Sequence, residues 1–222
     1  SEDAAAGVDA TPTVASPAAD AAADIVGRLA RSSARPPDLS TAGEEEARSL
    51  FQGDSGSFMV NWPYVYGAAK EGVETGAIDQ SVLDDIAWAR YPRVDRDRPS
   101  APPLGGINLA IGNFTEHPDE ALAAVKCITS VQANAQYMVE SGNPAARAAA
   151  YDDPEVREAF PMADLIRDSL ADAGPRPITP YYGDVSTSVQ RTWHPSNQVE
   201  SPSTPERTDT YMSEVLQGER LL

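Results

Sequence analysis

The chain has 222 residues and a formal net charge of −17. That length holds one large domain or two small ones around a real core. The acidic surface repels phosphate backbones and anionic lipid, which argues against nucleic acid as a partner. Cys127 is the single cysteine, which excludes an intramolecular disulfide and a multi-cysteine zinc site. Its setting in Ala-Val-Lys-Cys-Ile, residues 124–128, reads as a small buried hydrophobe on a helix. No apolar run is long enough to span a bilayer, and no signal peptide is visible. The sequence opens on Ser1 rather than Met, so its natural start is expected to lie upstream.

Residues 1–15 carry no apolar period and read as loop. A helix follows, with Ser16 as N-cap, Pro17 at the first position and Asp20 in the first turn. Its apolar stripe is Ala22, Ile25, Val26 and Leu29, and Arg28 and Arg31 sit at the favourable end of the dipole. A second helix is predicted over 41–52, with Thr41-x-x-Glu44 as a capping box and Gly53 as the stop. Its acidic triplet Glu44, Glu45 and Glu46 reads most simply as a solvated first turn; the alternative is that one of them faces a ligand.

Residues 57–61 are short and apolar and predict a buried strand. The strand delivers Trp62 and Tyr64 to its exit, where an aromatic ring can line a cleft. Residues 67–84 read as mixed and turn-rich, 85–90 as a second strand, and 92–103 as a Pro/Arg/Asp loop. The run 104–112, Leu-Gly-Gly-Ile-Asn-Leu-Ala-Ile-Gly, predicts a third buried strand entered through paired glycines, which suggest a close approach of backbone. One long helix is predicted from His117 to Ser141, with Pro118 at its first position and Gly142 as its stop. Asp153-Pro154 starts another helix, which Pro161 interrupts and which resumes to Ala173. Residues 174–180 form a rigid extended segment that presents Arg176. Asp184 caps a helix carrying Val185 and Val189, and Thr204-Pro205 starts the last one, with Tyr211, Val215 and Leu216 inward. Helices interspersed with a few buried strands predict an α/β layer architecture.

No catalytic or metal constellation stands out. His117 and His194, the two histidines, lack a metal-motif spacing and read as surface or capping residues. Gly53-Asp54-Ser55-Gly56 lacks the final glycine of a nucleophile elbow and precedes a strand where an elbow would follow one. The acidic pairs Asp84-Asp85 and Asp152-Asp153 lie at turns or caps. What remains is binding machinery. Trp62 and Tyr64 suit the apolar face of a sugar, and Arg176 between Pro175 and Pro177 offers a preorganised donor fork. Core packing for Trp62 and a surface salt bridge for Arg176 remain the competing readings.

The run 51–64 resembles the F-x-x-G-x-A-A-F-M-x-N-W-P signature of carbohydrate-binding proteins of ABC importers. Phe51, Phe58, Met59, Asn61, Trp62 and Pro63 fall in place. Asp54 stands at the usual glycine, with Gly53 one place earlier, and Gly56 and Ser57 replace the small Ala pair. Residues 103–111, Glu120-Ala-Leu with Ile128-Thr-Ser, Asn143 to Arg147 and Arg176 to Tyr181 match later segments in the same order. The chain looks closest to the trehalose-binding lipoproteins of mycobacterial trehalose-recycling importers.

The resemblance implies an α/β, periplasmic-binding-protein-like two-lobed clamshell, of which this chain is the C-terminal half. Residues 1–103 and 152–222 would belong to the C-terminal lobe, and 104–151 would cross the hinge and return a strand and helix to the N-terminal lobe. It implies that Trp62 stacks on sugar, that Gly105 and Gly106 offer backbone amides, and that Arg176 contacts the ligand, with Asn61 and Tyr64 as weaker candidates. The implied function is capture of an α-linked disaccharide, trehalose, and delivery to the permease subunits, with no catalysis, no cofactor and no metal. The implied location is extracytoplasmic, with the lipid anchor in the absent N-terminal part. The alternative is a sugar-processing enzyme or a lectin-like module. Alone, the chain is expected to be poorly stable or to aggregate through its exposed 105–150 elements.

Overall fold

The computed structural model describes residues 11–53 and 56–222. The expectations for residues 1–10 and for the Asp54–Ser55 turn lie outside the described residues. In chain order the helices are α1 (Pro17–Arg31), α2 (Glu44–Gln52), α3 (Tyr64–Glu74), α4 (Gln80–Asp85), α5 (Pro118–Ile128), α6 (Val131–Ser141), α7 (Pro154–Ala159), α8 (Ala163–Ala171), α9 (Tyr182–Trp193) and α10 (Ser203–Leu216). The chain divides into two compact units. One joins residues 1–43 to 176–222; the other is residues 44–175.

The first unit is built from α1, α9 and α10. Ser16 caps α1 as expected, accepting from the Ala19 amide at 3.3 Å. The buried face of α1 is Ala23, Gly27 and Ala30, while Ile25 and Leu29 of the expected stripe are exposed. The cause is a close backbone approach: a Cβ on Gly27 would lie 2.3 Å from the Val199 carbonyl oxygen. Only small residues fit against that carbonyl, which also accepts from Arg31 Nη1 at 2.9 Å.

Buried hydroxyls join α9 to α10. Thr192 and Thr208 hydroxyls lie 2.8 Å apart, and Thr208 also accepts from Trp193 Nε1 at 3.0 Å. Both threonines are buried, so these bonds satisfy groups that would otherwise be desolvated without a partner.

The second unit packs around α6, α7 and α8. Met138, Tyr151, Val156, Phe160 and Ile166 are buried in one cluster. The buried Tyr151 hydroxyl donates to the Ala145 carbonyl at 2.9 Å. Pro161 breaks the helix as predicted, giving α7 and α8.

Several elements differ from expectation. The predicted 117–141 helix is two helices, because Ser130 accepts from the Ala133 amide at 3.2 Å and caps a new start. Gly142 ends α6 at φ 76°, in the left-handed region where glycine is favoured. The 67–84 stretch is largely helical, in α3 and α4. Gly67 permits α3 because a Cβ there would lie 3.3 Å from the Gly142 Cα. The second predicted helix begins at Glu44 rather than Thr41.

The predicted strands are the largest difference. Residues 57–61, 86–90 and 104–112 form no strand, and Asp85 ends α4. Among the described residues the β pairing is an isolated parallel bridge between Pro103 and Gly174, closed by Leu104 N–H to Gly174 O at 2.9 Å. A strand exists only where a neighbour completes its backbone hydrogen bonds, and beyond that bridge these segments pair with none among the described residues. They were expected to be buried; instead Phe58 is 97% exposed and Ile107 78%. Helix α5 shows the same condition, with no buried residue at all. Cys127 on that helix is therefore exposed, contrary to its expected burial.

Candidate functional site

In the second unit, the sequence from Asn61 to Tyr64 turns from an irregular segment into α3. Exposure alternates along 58–62: Phe58, Val60 and Trp62 face outward, while Met59 and Asn61 are half-buried. This two-residue period puts Trp62 on the open side. The residue is 37% exposed, so neither core packing nor full solvation describes it.

Three neighbours hold the residue, two of them at its ring. Trp62 Nε1 donates to Glu44 Oε1 at 2.6 Å. The Trp62 amide donates to Asn61 Oδ1 at 2.8 Å, while Asn61 Nδ2 donates to the Glu44 carbonyl at 3.0 Å. Gly105 backs the ring: a Cβ there would lie 2.7 Å from Cη2 and 2.8 Å from Cζ3. Any side chain at 105 would push the indole aside. The paired glycines thus have separate roles, since around Gly106 the same test meets open space.

Tyr64 opens α3 and donates its hydroxyl to Glu45 Oε1 at 2.5 Å. That bond to a carboxylate keeps the phenol protonated and pushes its pKa up to about 12. The same bond, followed by the Arg48 guanidinium, holds the Glu45 carboxyl below its ordinary value. Arg48 donates to Glu45 Oε2 from Nε at 2.9 Å and from Nη2 at 2.7 Å.

Trp62, Tyr64, Asn61 and Gly105 are therefore brought together, with Gly106 next in the chain. Asn61 spends its amide on backbone groups, so it shapes the turn. Arg176 belongs to the other unit, where it is exposed. Glu44 is the residue that sequence reasoning underweighted. A triplet of acids at a helix start has a sufficient explanation in the dipole. The signal for more is the alternative reading of the triplet, in which one glutamate faces a ligand. An aromatic face bordered by a carboxylate suits a polyol: the ring covers apolar C–H groups, and the carboxylate accepts from hydroxyls.

The histidines take the modest roles expected of them. His117 occupies the N-cap position of α5 without a side-chain capping bond, and His194 Nε2 lies 2.8 Å from the Ser40 carbonyl oxygen. Asp153 caps α7 by accepting from the Glu155 amide at 2.9 Å, and Asp152 pairs with Arg157 and Arg167. Among the described residues no cluster of three or more His, Cys, Asp or Glu could hold a metal ion, and no helix is long and apolar enough to cross a membrane.

No family model matches the chain. Over 147 residues it is 33% identical to a probable ABC transporter-binding protein of Deinococcus radiodurans, an overlap of 66% of this chain and 33% of that one. Among solved structures it is similar to the maltose-bound MalE3 of T. maritima, with a TM-score of 0.75 and 28% identity. That likeness covers 94% of this chain and 53% of the solved one. The chain has the fold of the part of MalE3 that it covers. It spans about a third of the curated relative's length and about half of the solved chain's.

Proposed function

We propose that this chain is the C-terminal part of the substrate-binding subunit of an ABC sugar importer, and that it binds an α-linked disaccharide, trehalose, against Trp62. The observation that carries the reading is the half-exposed indole fixed by Glu44 and backed by Gly105. Core tryptophans need no such exposure, and free surface tryptophans need no such anchoring. The likeness to a transporter-binding protein and to a maltose-bound protein supports the same class of ligand.

In this reading Trp62 stacks on a pyranose face, Glu44 accepts a sugar hydroxyl, and the Gly106 amide and Tyr64 hydroxyl border the ligand. Asn61 shapes the turn beneath them. Arg176 is carried as a further contact on the strength of the family resemblance. The protein releases the sugar unchanged to the permease subunits. It works outside the cytoplasmic membrane, held by a lipid anchor in the upstream part of the polypeptide.

The exposed apolar faces favour a chain completed by more polypeptide. Residues 104–151 would enter an N-terminal lobe, while 1–103 and 152–222 form the C-terminal lobe. Segments 57–61 and 104–112 would become sheet strands once they gain neighbours. Lobe closure over the sugar would then bias the form that docks on the permease.

Calorimetry on the full-length protein tests this reading with trehalose and maltose. Saturable binding is expected, weakened by about five- to 150-fold in Trp62→Ala if a sugar ring on the indole gains the roughly 1–3 kcal/mol that a stacked base does. Unchanged affinity in that variant removes Trp62 from the site. Hydrolysis of either sugar would turn the reading to an enzyme.

A further inference from the structure

The acidic first turn of α2 treats its two aromatic neighbours differently. Glu44 reaches Trp62 through one oxygen, Oε1. Glu45 uses both: Oε1 accepts from Tyr64, and Oε2 accepts the two-pronged Arg48 fork. Arg48 then donates through Nη1 to Gln52 Oε1 at 2.7 Å. Gln52 is buried, at 7% exposure. Residues 45, 48 and 52 lie three and four apart, on one face of α2. A continuous polar chain therefore runs from the Tyr64 hydroxyl to a buried end.

At the other end, Tyr64 is joined to Trp62 through Pro63 alone. The proline ring fixes φ there, at −61°. It also leaves α3 without a side-chain cap. Fixing the Tyr64 ring thus limits where the preceding indole can go.

We propose that Glu45 is a positioning residue for the Trp62 wall, clamping Tyr64 to α2 so that the indole keeps its edge-on seat at Glu44 and its face open. The same clamp sets what Tyr64 can offer: its proton is committed to Glu45, so towards a ligand it presents lone pairs only. The hydroxyl opposite it must then be a donor. This inference rests on the reading of Trp62 as a sugar-binding surface, but the clamp itself is measurable without sugar.

The test is solvent exchange of the indole N–H protons in the 15N-labelled chain. Trp193, whose Nε1 donates to Thr208 in the other unit, is the internal reference. Glu45→Ala is expected to speed exchange at Trp62 about fivefold, the factor one net hydrogen bond is worth, with Trp193 unchanged. Glu45→Gln keeps an acceptor for Tyr64 and should recover most of the protection. Wild-type exchange at Trp62 in Glu45→Ala overturns the clamp. If Trp193 also changes in Glu45→Ala, Tyr64→Phe decides, since it removes only the hydroxyl: faster Trp62 exchange supports the clamp, and no change overturns it. Calorimetry with maltose on Trp62→Ala judges the sugar reading separately, so the two can fail independently.

Discussion

Two stretches of the second unit carry similar apolar content and meet opposite fates. Residues 151–166 bury Tyr151, Val156, Phe160 and Ile166 in a shared cluster. Residues 104–128 carry Leu104, Ile107, Leu109, Ile111, Phe114, Leu122 and Ile128, all exposed. The difference lies in what surrounds them. The first stretch folds into α7 and α8; α7 packs against α6, and both helices feed side chains into the shared cluster. The second is an extended run followed by a helix, and a run of that kind is completed only by a neighbouring strand. Hydrophobic pattern says that a residue gains from being covered; the covering element has to be supplied separately.

The contrast predicts unequal costs for unequal removal of apolar groups. Phe160→Ala should be the most damaging change. Phe160 is 3% exposed and its ring meets Tyr66 at 6.3 Å between centroids. Tyr66 in turn stands edge-on to Trp88 at 5.6 Å. Truncation leaves a cavity beside Tyr66 and should cost about 3–5 kcal/mol, read as a lower denaturation midpoint with an unchanged slope. A loss under about 1 kcal/mol would mean that the cluster is loosely packed.

An intermediate effect is expected at the junction between the stretches. Gly105 opens the exposed run yet touches the candidate site, with a would-be Cβ 2.7 Å from the Trp62 ring. Gly105→Ala should cost roughly 1–2 kcal/mol through overpacking. Its sharper readout is optical: the indole must move, so tryptophan emission and acrylamide quenching should change. Gly106→Ala, in open space, is the control and should change neither. An unchanged spectrum in Gly105→Ala would show that the run yields in place of the ring.

The sequence carried the helices that announce themselves locally. Ser16-Pro17, Asp153-Pro154, Pro161 and Gly142 each act within one turn of the residue concerned, and each holds its predicted place. It failed where a distant group decides. The apolar pattern of α1 points to Ala22, Ile25, Val26 and Leu29, but the Val199 carbonyl selects the face of Gly27 with Ala23 and Ala30. α3 was obscured by Gly67 and Gly72, whose low helix propensity is overridden by close packing against Gly142 and Ile78. The break at Ser130 is invisible in a pattern whose apolar period runs through it. At the candidate site, the approach of Gly105 to the Trp62 ring fits the close backbone approach that the paired glycines suggest. The bonds of Glu44 to Trp62 and of Glu45 to Tyr64 were not legible beyond the alternative that one glutamate faces a ligand, because charge at a helix start needs no partner and only the fold brings one within reach.

The smallest stability effect should fall on the exposed run, and it separates the two explanations of that run. Ile107 and Leu109 share one side of an extended segment by the two-residue period. If the run is surface in the working protein, changing both to serine should alter stability by no more than about 0.5 kcal/mol and leave the full-length protein as it was. If it is strand awaiting a sheet, the isolated chain should be equally indifferent, yet self-associate less in light scattering, since the apolar patch is smaller. The same pair of changes in the full-length protein should then cost several times more, because there the two side chains lose burial. Equal small costs in both settings would count against a partner strand along this segment.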